Sequence, residues 1–176
     1  WYDYVEEFVG VSGTLEGMEQ LPDGIFLPPI GFNCAEEEFG RRIGNTYNDR
    51  RLIPGRCAHL TEPKPIHTDL GRGTCQSRNQ CQRGCSLGAY FSSQSATLPA
   101  AKRTGNLTII SDSIVDSIIY DPKNKKANGV RVIDSRTNIT TTYNAKVIFL
   151  CASTLGTTQI LLNSKSEHFK TGFANR

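Results

Sequence analysis

Three cysteines lie close together in the sequence and could bind one inorganic group. Cys75, Cys81 and Cys85 fall within the segment GTCQSRNQCQRGC, with five and then three residues between them. The segment contains glycines and shows no helical or strand periodicity, so its backbone can fold to bring three thiols to one point. Thiolates are preferred ligands of soft metals and iron–sulfur clusters. The alternative is that these are simply free or disulfide-bonded cysteines.

Zinc is a second candidate occupant of this cysteine set. A structural zinc site has four ligands, and the fourth could come from Cys57, His59 or His67 only if the chain folds back on itself. Cys34 and Cys151 each lie in or beside an apolar segment. We therefore expect both to pack as small hydrophobic side chains rather than as ligands.

The sequence shows no nucleophile paired with a base. His59, His67 and His168 are isolated in loops or near the end of the chain, which favours solvated side chains. No carboxylate, serine or cysteine stands at a spacing that would build a catalytic triad with them. We therefore assign no catalytic residue within these 176 residues.

Composition indicates a globular protein without a nucleic-acid or membrane signature. Hydrophobic residues make up 38% of the chain, enough to bury a core. The 20 basic and 17 acidic residues are interspersed and leave a net charge of +3, too weak to indicate nucleic acid or an anionic membrane as partner. No apolar run reaches the length of a membrane span. We expect a soluble protein and leave its compartment open between cytoplasm and periplasm.

Helical patterns occupy only part of the first hundred residues. An apolar stripe over residues 2–9 predicts a helix that Gly10 stops, and Asn33 with Glu36 predicts a capping box at the start of a second helix. Residues 51–92 lack periodicity, and a short helix is predicted from about Ser95. Because the first helix begins without a cap, we expect a segment of a longer protein.

A change in sequence texture after residue 104 predicts a boundary between residues 1–104 and residues 105–176. Beyond it, β-branched runs separated by turn residues predict an antiparallel meander, with strands at 107–110, 114–120, 130–133 and 139–143. The continuous apolar run at 146–151 is typical of a strand covered on both faces, and a helix follows over 157–163. The predicted fold class is mixed α/β or α+β.

Two of these segments resemble the glucose–methanol–choline (GMC) flavin oxidoreductases. They are TGNLTIISDSIV at residues 104–115 and VIFLCASTLGTTQILL at residues 147–162. The second is similar to the family's hydrophobic strand, small-residue turn and following helix. The resemblance implies an internal fragment of a two-domain FAD-dependent enzyme, with residues 1–104 in the substrate-binding domain and residues 105–176 in the FAD-binding domain.

The resemblance also implies cofactor contacts. The backbone of Val115 is expected to meet the adenine of FAD. Ala152 and Ser153 follow the predicted buried strand, at a turn where small residues let the backbone approach a ligand closely. Cys151, Ala152 and Ser153 stand where the family commonly has Ala-Ala-Gly or a similar trio.

Residues 75–101 look most like the dehydrogenase branch of the family, which acts on sugars, sugar acids and polyols. Some members of that branch hold a three-iron cluster on three cysteines at a similar spacing. The resemblance therefore implies that Cys75, Cys81 and Cys85 are ligands of an iron–sulfur (3Fe–4S) cluster, and that an electron-acceptor protein is a partner.

The reaction that the resemblance implies is oxidation of a CH–OH group in a small alcohol or sugar, with hydride passing to the flavin. The family's glycine-rich phosphate loop and catalytic histidine are expected outside residues 1–176, so this segment alone is expected to be inactive. A competing hypothesis is a small metal-binding or disulfide-stapled interaction module. A brown, iron-containing preparation would favour the cluster, whereas a colourless one with zinc would favour the module.

Overall fold

A computed structural model describes residues 1–173 and divides the chain into two compact units. The first runs from Trp1 to Leu107 and the second begins at Thr108. The predicted boundary, at residue 104, lies near this division. The identity of the two parts as substrate-binding and FAD-binding domains stays a prediction.

The first unit is mostly irregular and carries short helices. These are α1 (Tyr2–Val9), α2 (Cys34–Thr46), α3 (Pro65–Thr68) and α4 (Leu98–Arg103), with a 3₁₀ turn at Cys81–Arg83 and a π-helical turn at Ser93–Thr97. α1 ends as predicted, because Gly10 adopts the left-handed conformation with φ 80° and its N–H donates to Glu6 O. The capping box of α2 is also confirmed, with Asn33 Oδ1 accepting from the Glu36 N–H at 3.1 Å.

Long-range backbone contacts organise the irregular part of the first unit. Ser12 forms isolated bridges with both Leu27 and Cys57, and Leu60 N donates to Ala89 O at 3.1 Å. Leu27, Leu60 and Ala89 are the buried apolar centre, against which Leu87 and two of the cysteines pack. The irregular part of the first unit is therefore connected by single bridges rather than by strands.

The second unit contains the predicted antiparallel meander. Its strands are β1 (Ser113–Asp121), β2 (Lys126–Asp134) and β3 (Thr140–Asn144), in the order β1–β2–β3. Helix α5 (Ser153–Asn163) packs on β1, where the Ser164 hydroxyl just beyond its end accepts from the Ile118 N–H at 2.8 Å. The rings of Phe169 and Phe173 also pack on Tyr120 of β1. The mixed α+β class is confirmed.

Two predicted strands are wrong. Residues 107–110 and 146–151 have no strand conformation. A strand needs a hydrogen-bonding partner, and within residues 1–173 no strand pairs with either segment. The run at 146–151 is also not buried, since Val147 and Phe149 are 67% and 84% exposed.

None of the described helices is both long enough and apolar enough to cross a bilayer.

Candidate functional site

Cys75, Cys81 and Cys85 line a single cavity of about 240 Å³ in the first unit. Cys75 is placed by its backbone N–H, which donates to Leu60 O at 2.7 Å. Cys81 begins the 3₁₀ turn. Cys85 follows Gly84, whose φ of 97° suits a residue without a side chain and lets the loop reverse. The three cysteines thus line one cavity, and their role as ligands of a common group stays a prediction.

Backbone N–H groups surround the Cys85 thiol. The N–H of Tyr90 has the largest effect and lowers the pKa of the Cys85 thiol. The N–H groups of Leu87, Ala89 and Gly88 act in the same direction, while partial burial raises the pKa and does not outweigh them. This loop therefore favours the thiolate, which is the form that binds metals.

His59 reaches the same cavity from a different segment. Its Nε2 lies 3.6 Å from Cys81 Sγ, and its ring packs on Tyr90 with the centroids 5.2 Å apart. His59 is partly buried, so the expectation of a solvated side chain is wrong for this residue. The contact joins residues 22 positions apart, and no local pattern in the sequence could have revealed it.

The loop that carries the third cysteine is held by a buried arginine. Arg72 is 2% exposed, and its guanidinium donates to the carbonyls of Phe8, Val9, Gly88 and Ala89. Two of these carbonyls belong to the last turn of α1, where the helix dipole favours a cation. Burial lowers the pKa of Arg72, but an arginine retains its proton in proteins. The side chain thus links α1 to the cysteine loop.

His67 is fully buried beside this arginine. Its Nδ1 accepts from the Lys64 N–H at 2.9 Å, and its Nε2 lies 2.6 Å from Glu7 O. Because a carbonyl can only accept, Nε2 carries the proton in the neutral ring. Burial lowers the pKa of His67 more than its bond to Glu7 raises it. The expectation of a solvated His67 is therefore wrong, whereas His168 is exposed as predicted.

All six cysteines are free thiols. Within residues 1–173, no group of three or more histidine, cysteine, aspartate or glutamate side chains is arranged to hold a metal ion. Cys34 and Cys151 are both exposed, so the prediction that they pack as small apolar side chains is wrong. Cys34 begins α2 and Cys151 ends the uncovered segment 146–151, and neither position faces the core.

The three residues predicted to contact FAD lie in two elements of the second unit. Val115 is in β1, paired with Val132 and next to an irregularity in the strand register. Ala152 precedes α5, and Ser153 begins it with a left-handed φ of 62°. Both Ala152 and Ser153 are exposed. Their role in binding FAD stays a prediction.

A match to a known protein family identifies the family of this chain. The model of the family described as GMC oxidoreductase matches residues 51–168, about two thirds of the chain. The chain belongs to the GMC oxidoreductase family. None of the curated proteins matches it.

As a GMC oxidoreductase, the protein is an oxidoreductase that acts on small molecules, and the matched region is of the family's N-terminal, FAD-binding type. The matched region includes the cysteine segment, all three strands of the meander and α5. It therefore spans parts of both compact units.

Proposed function

We propose that this GMC oxidoreductase chain works within a larger FAD-dependent dehydrogenase that oxidises a CH–OH group of a sugar, polyol or related alcohol. The observation that carries the proposal is the family match over residues 51–168. Bound FAD would supply the hydride acceptor, and the protein would position the alcohol and the flavin.

Three residues of the second unit are proposed to contact FAD. In the sheet β1–β2–β3, β1 is an edge strand, so part of the Val115 strand backbone faces away from its sheet partner and is suited to meet the adenine. Ala152 and Ser153 are small and exposed at the beginning of an 11-residue helix. The first N–H groups of such a helix have no partner within the helix, which suits a site for a negatively charged group.

The exposed apolar residues after β3 support the proposal that the enzyme extends beyond the two described units. Val147, Phe149 and Leu155 are 67%, 84% and 84% exposed. Fully burying side chains of this size contributes about 1.5–3 kcal/mol each. We propose that further strands of the FAD-binding domain cover this segment in the complete enzyme.

We also propose that Cys75, Cys81 and Cys85 hold an iron–sulfur cluster, with three irons matching three thiolates. Their common cavity and the N–H groups around Cys85 support this. A cluster spreads its ligands over several iron corners, so its thiolates need not converge as closely as those around a single ion. When bound, it would supply a one-electron carrier between the flavin and an external acceptor protein.

Flavin binding tests the first part of the proposal. We expect the complete enzyme to bind FAD tightly and to lose its flavin absorbance when a sugar or polyol is added without oxygen. The isolated 176-residue chain should bind FAD weakly in a fluorescence titration and show no activity. A complete enzyme that purifies without flavin and does not take it up would contradict the proposal.

Iron analysis tests the cluster. Anaerobically purified complete enzyme should contain iron and show an electron paramagnetic resonance signal of a three-iron cluster in its oxidised form. Cys81→Ser should lose iron, whereas Cys34→Ser, a change at an exposed cysteine outside the cavity, should retain it. Negligible iron in the wild type, or unchanged iron in Cys81→Ser, would show that the assignment is wrong.

A further inference from the structure

We infer that His59 is a positioning residue for the cysteine site, donating a hydrogen bond from Nε2 to the sulfur of Cys81. This inference rests on the proposed cluster in one respect: with iron bound, the same hydrogen bond would raise the reduction potential of the cluster. The hydrogen bond itself can be measured whether or not iron is present.

The proton of the neutral imidazole is assigned by what each ring nitrogen meets. Nε2 lies 3.6 Å from Cys81 Sγ, a suitable distance for a donor to sulfur, which is larger than oxygen. Nδ1 is buried and has no hydrogen-bond partner within residues 1–173. Nδ1 has no partner in either tautomer, but a buried N–H without an acceptor is rarer in proteins than a buried acceptor that is not fully satisfied. The proton therefore belongs on Nε2, where the sulfur accepts it.

Backbone hydrogen bonds of the residues before and after His59 fix the position of its ring. Leu60 N donates to Ala89 O at 3.1 Å, and Phe91 N donates to Ala58 O at 3.0 Å. His59 itself forms an antiparallel bridge with Tyr90. Since the ring of His59 also packs on Tyr90, its orientation toward Cys81 is set by the same segment that surrounds the Cys85 thiol.

The consequence for a cluster follows from charge. A hydrogen bond to a ligand sulfur withdraws electron density from it and stabilises the more negatively charged, reduced state. The N–H groups beside Cys85 belong to the backbone and cannot be removed by substituting a side chain. The donor to Cys81 is a side chain, so its contribution can be isolated.

The first test measures the cluster in the complete enzyme. His59→Phe keeps a flat ring but cannot donate, so we expect iron content to stay near the wild-type value and the midpoint potential to become more negative. His59→Gln, which retains an N–H donor, should restore part of the shift, and the exposed His168→Phe should cause none. An unchanged potential in iron-replete His59→Phe would overturn the role in tuning.

The second test needs neither iron nor a stable variant. Nitrogen NMR of wild-type complete enzyme labelled at histidine, in its iron-free state, reports which ring nitrogen carries the proton. We expect the Nε2–H form for His59, with a shift of that resonance in Cys81→Ala. The Nδ1–H form would overturn the hydrogen bond. An enzyme without iron that shows the Nε2–H form would contradict the proposed cluster and support the hydrogen bond.

Discussion

Different kinds of hydrogen bond stabilise the two units of this chain. In the second unit, backbone hydrogen bonds between neighbouring strands run in register, and Val130 faces Ile118 on one side and Tyr143 on the other. In the first unit, where no strands pair in register, buried polar side chains form the long-range hydrogen bonds. Arg72 and His67 hydrogen-bond to backbone groups between 3 and 64 residues away along the chain.

The cysteine site lies in the first unit, whose structure depends on hydrogen bonds from buried side chains. The loop around Cys85 has little regular structure, so Arg72 and the apolar centre must fix its shape. A single substitution can therefore disturb this site more than a single substitution on the surface of the meander.

Removing the buried arginine should have the largest effect. Arg72→Met leaves the carbonyls of Phe8, Val9 and Gly88 without the guanidinium donor, while Ala89 O keeps its bond from the Leu60 N–H. We expect the free energy of unfolding of the first unit to fall by roughly 3 kcal/mol, since bonds to charged groups contribute about 1.5–3 kcal/mol and the carbonyls stay buried. Urea unfolding would measure the loss.

Hydrogen exchange would show where that loss occurs. Amides of residues 85–90 should lose protection in Arg72→Met, while those of β1–β3 should exchange at the wild-type rate. The matched control is Arg83→Met, a change at an exposed arginine, which should stay within about 0.5 kcal/mol of the wild type. Equal losses in the two variants would contradict the role given to Arg72.

Substitutions at two glycines of the first unit distinguish the cost of backbone strain from the cost of steric overlap. Gly10 and Gly17 both have positive φ, 80° and 62°. A Cβ at Gly10 would overlap the side chain of Leu60, whereas nothing lies within 4 Å of one at Gly17. We expect Gly10→Ala to cost about 2 kcal/mol and Gly17→Ala about 1 kcal/mol. Thermal unfolding of both variants checks this, and similar costs would mean that the α1 end is not tightly packed.

Protonation of His67 should make the stability of the first unit depend on pH. Burial lowers the pKa of His67 in the folded chain, so the unfolded chain binds the proton more readily. Stability should therefore fall as pH drops below about 6.5, by at most about 1.4 kcal/mol per pH unit for one proton. Unfolding curves between pH 5 and about 7.5 measure this.

Two variants identify the group responsible. His67→Gln removes the titrating ring and should flatten the dependence of unit-one stability in this range. His168→Gln, at an exposed histidine, should leave the slope as in the wild type. The prediction fails if His67→Gln keeps the full slope.

An ion pair on the meander should have the smallest effect. The Arg131 guanidinium lowers the pKa of Asp116, and the pair joins β1 to β2, with the Arg131 side chain 52% exposed. Its contribution is present at neutral pH and is lost as pH falls below about 4. We expect Asp116→Asn to cost about 0.5 kcal/mol at neutral pH. Asp112→Asn, which removes the more exposed pair with Arg136, should cost less.

Local patterns in the sequence correctly predicted helix ends and paired strands, which depend on residues close together in the chain. The stop at Gly10, the capping box at Asn33 and the three paired strands all depend on residues that are neighbours in the chain or alternate along it. The spacing of Cys75, Cys81 and Cys85 predicts thiols that converge on one point; the three residues line one cavity, and their role as ligands stays a prediction.

The errors come from contacts between distant residues. Burial of His67 and the approach of His59 to Cys81 are set by segments 60 and 22 residues away. The apolar run at 146–151 predicts a buried strand through its continuous hydrophobicity and its likeness to the hydrophobic strand of the family. Composition shows that a segment can be covered, but it does not supply the strands that would cover it.

We propose that oxidation of an alcohol by the complete enzyme reduces bound FAD. The most direct measurement is the visible absorption spectrum of the complete, anaerobic enzyme before and after addition of individual sugars and polyols. We expect a flavin spectrum that at least one of these alcohols bleaches and that recovers when an artificial electron acceptor is added. A flavin spectrum that no sugar, polyol or related alcohol bleaches would contradict it.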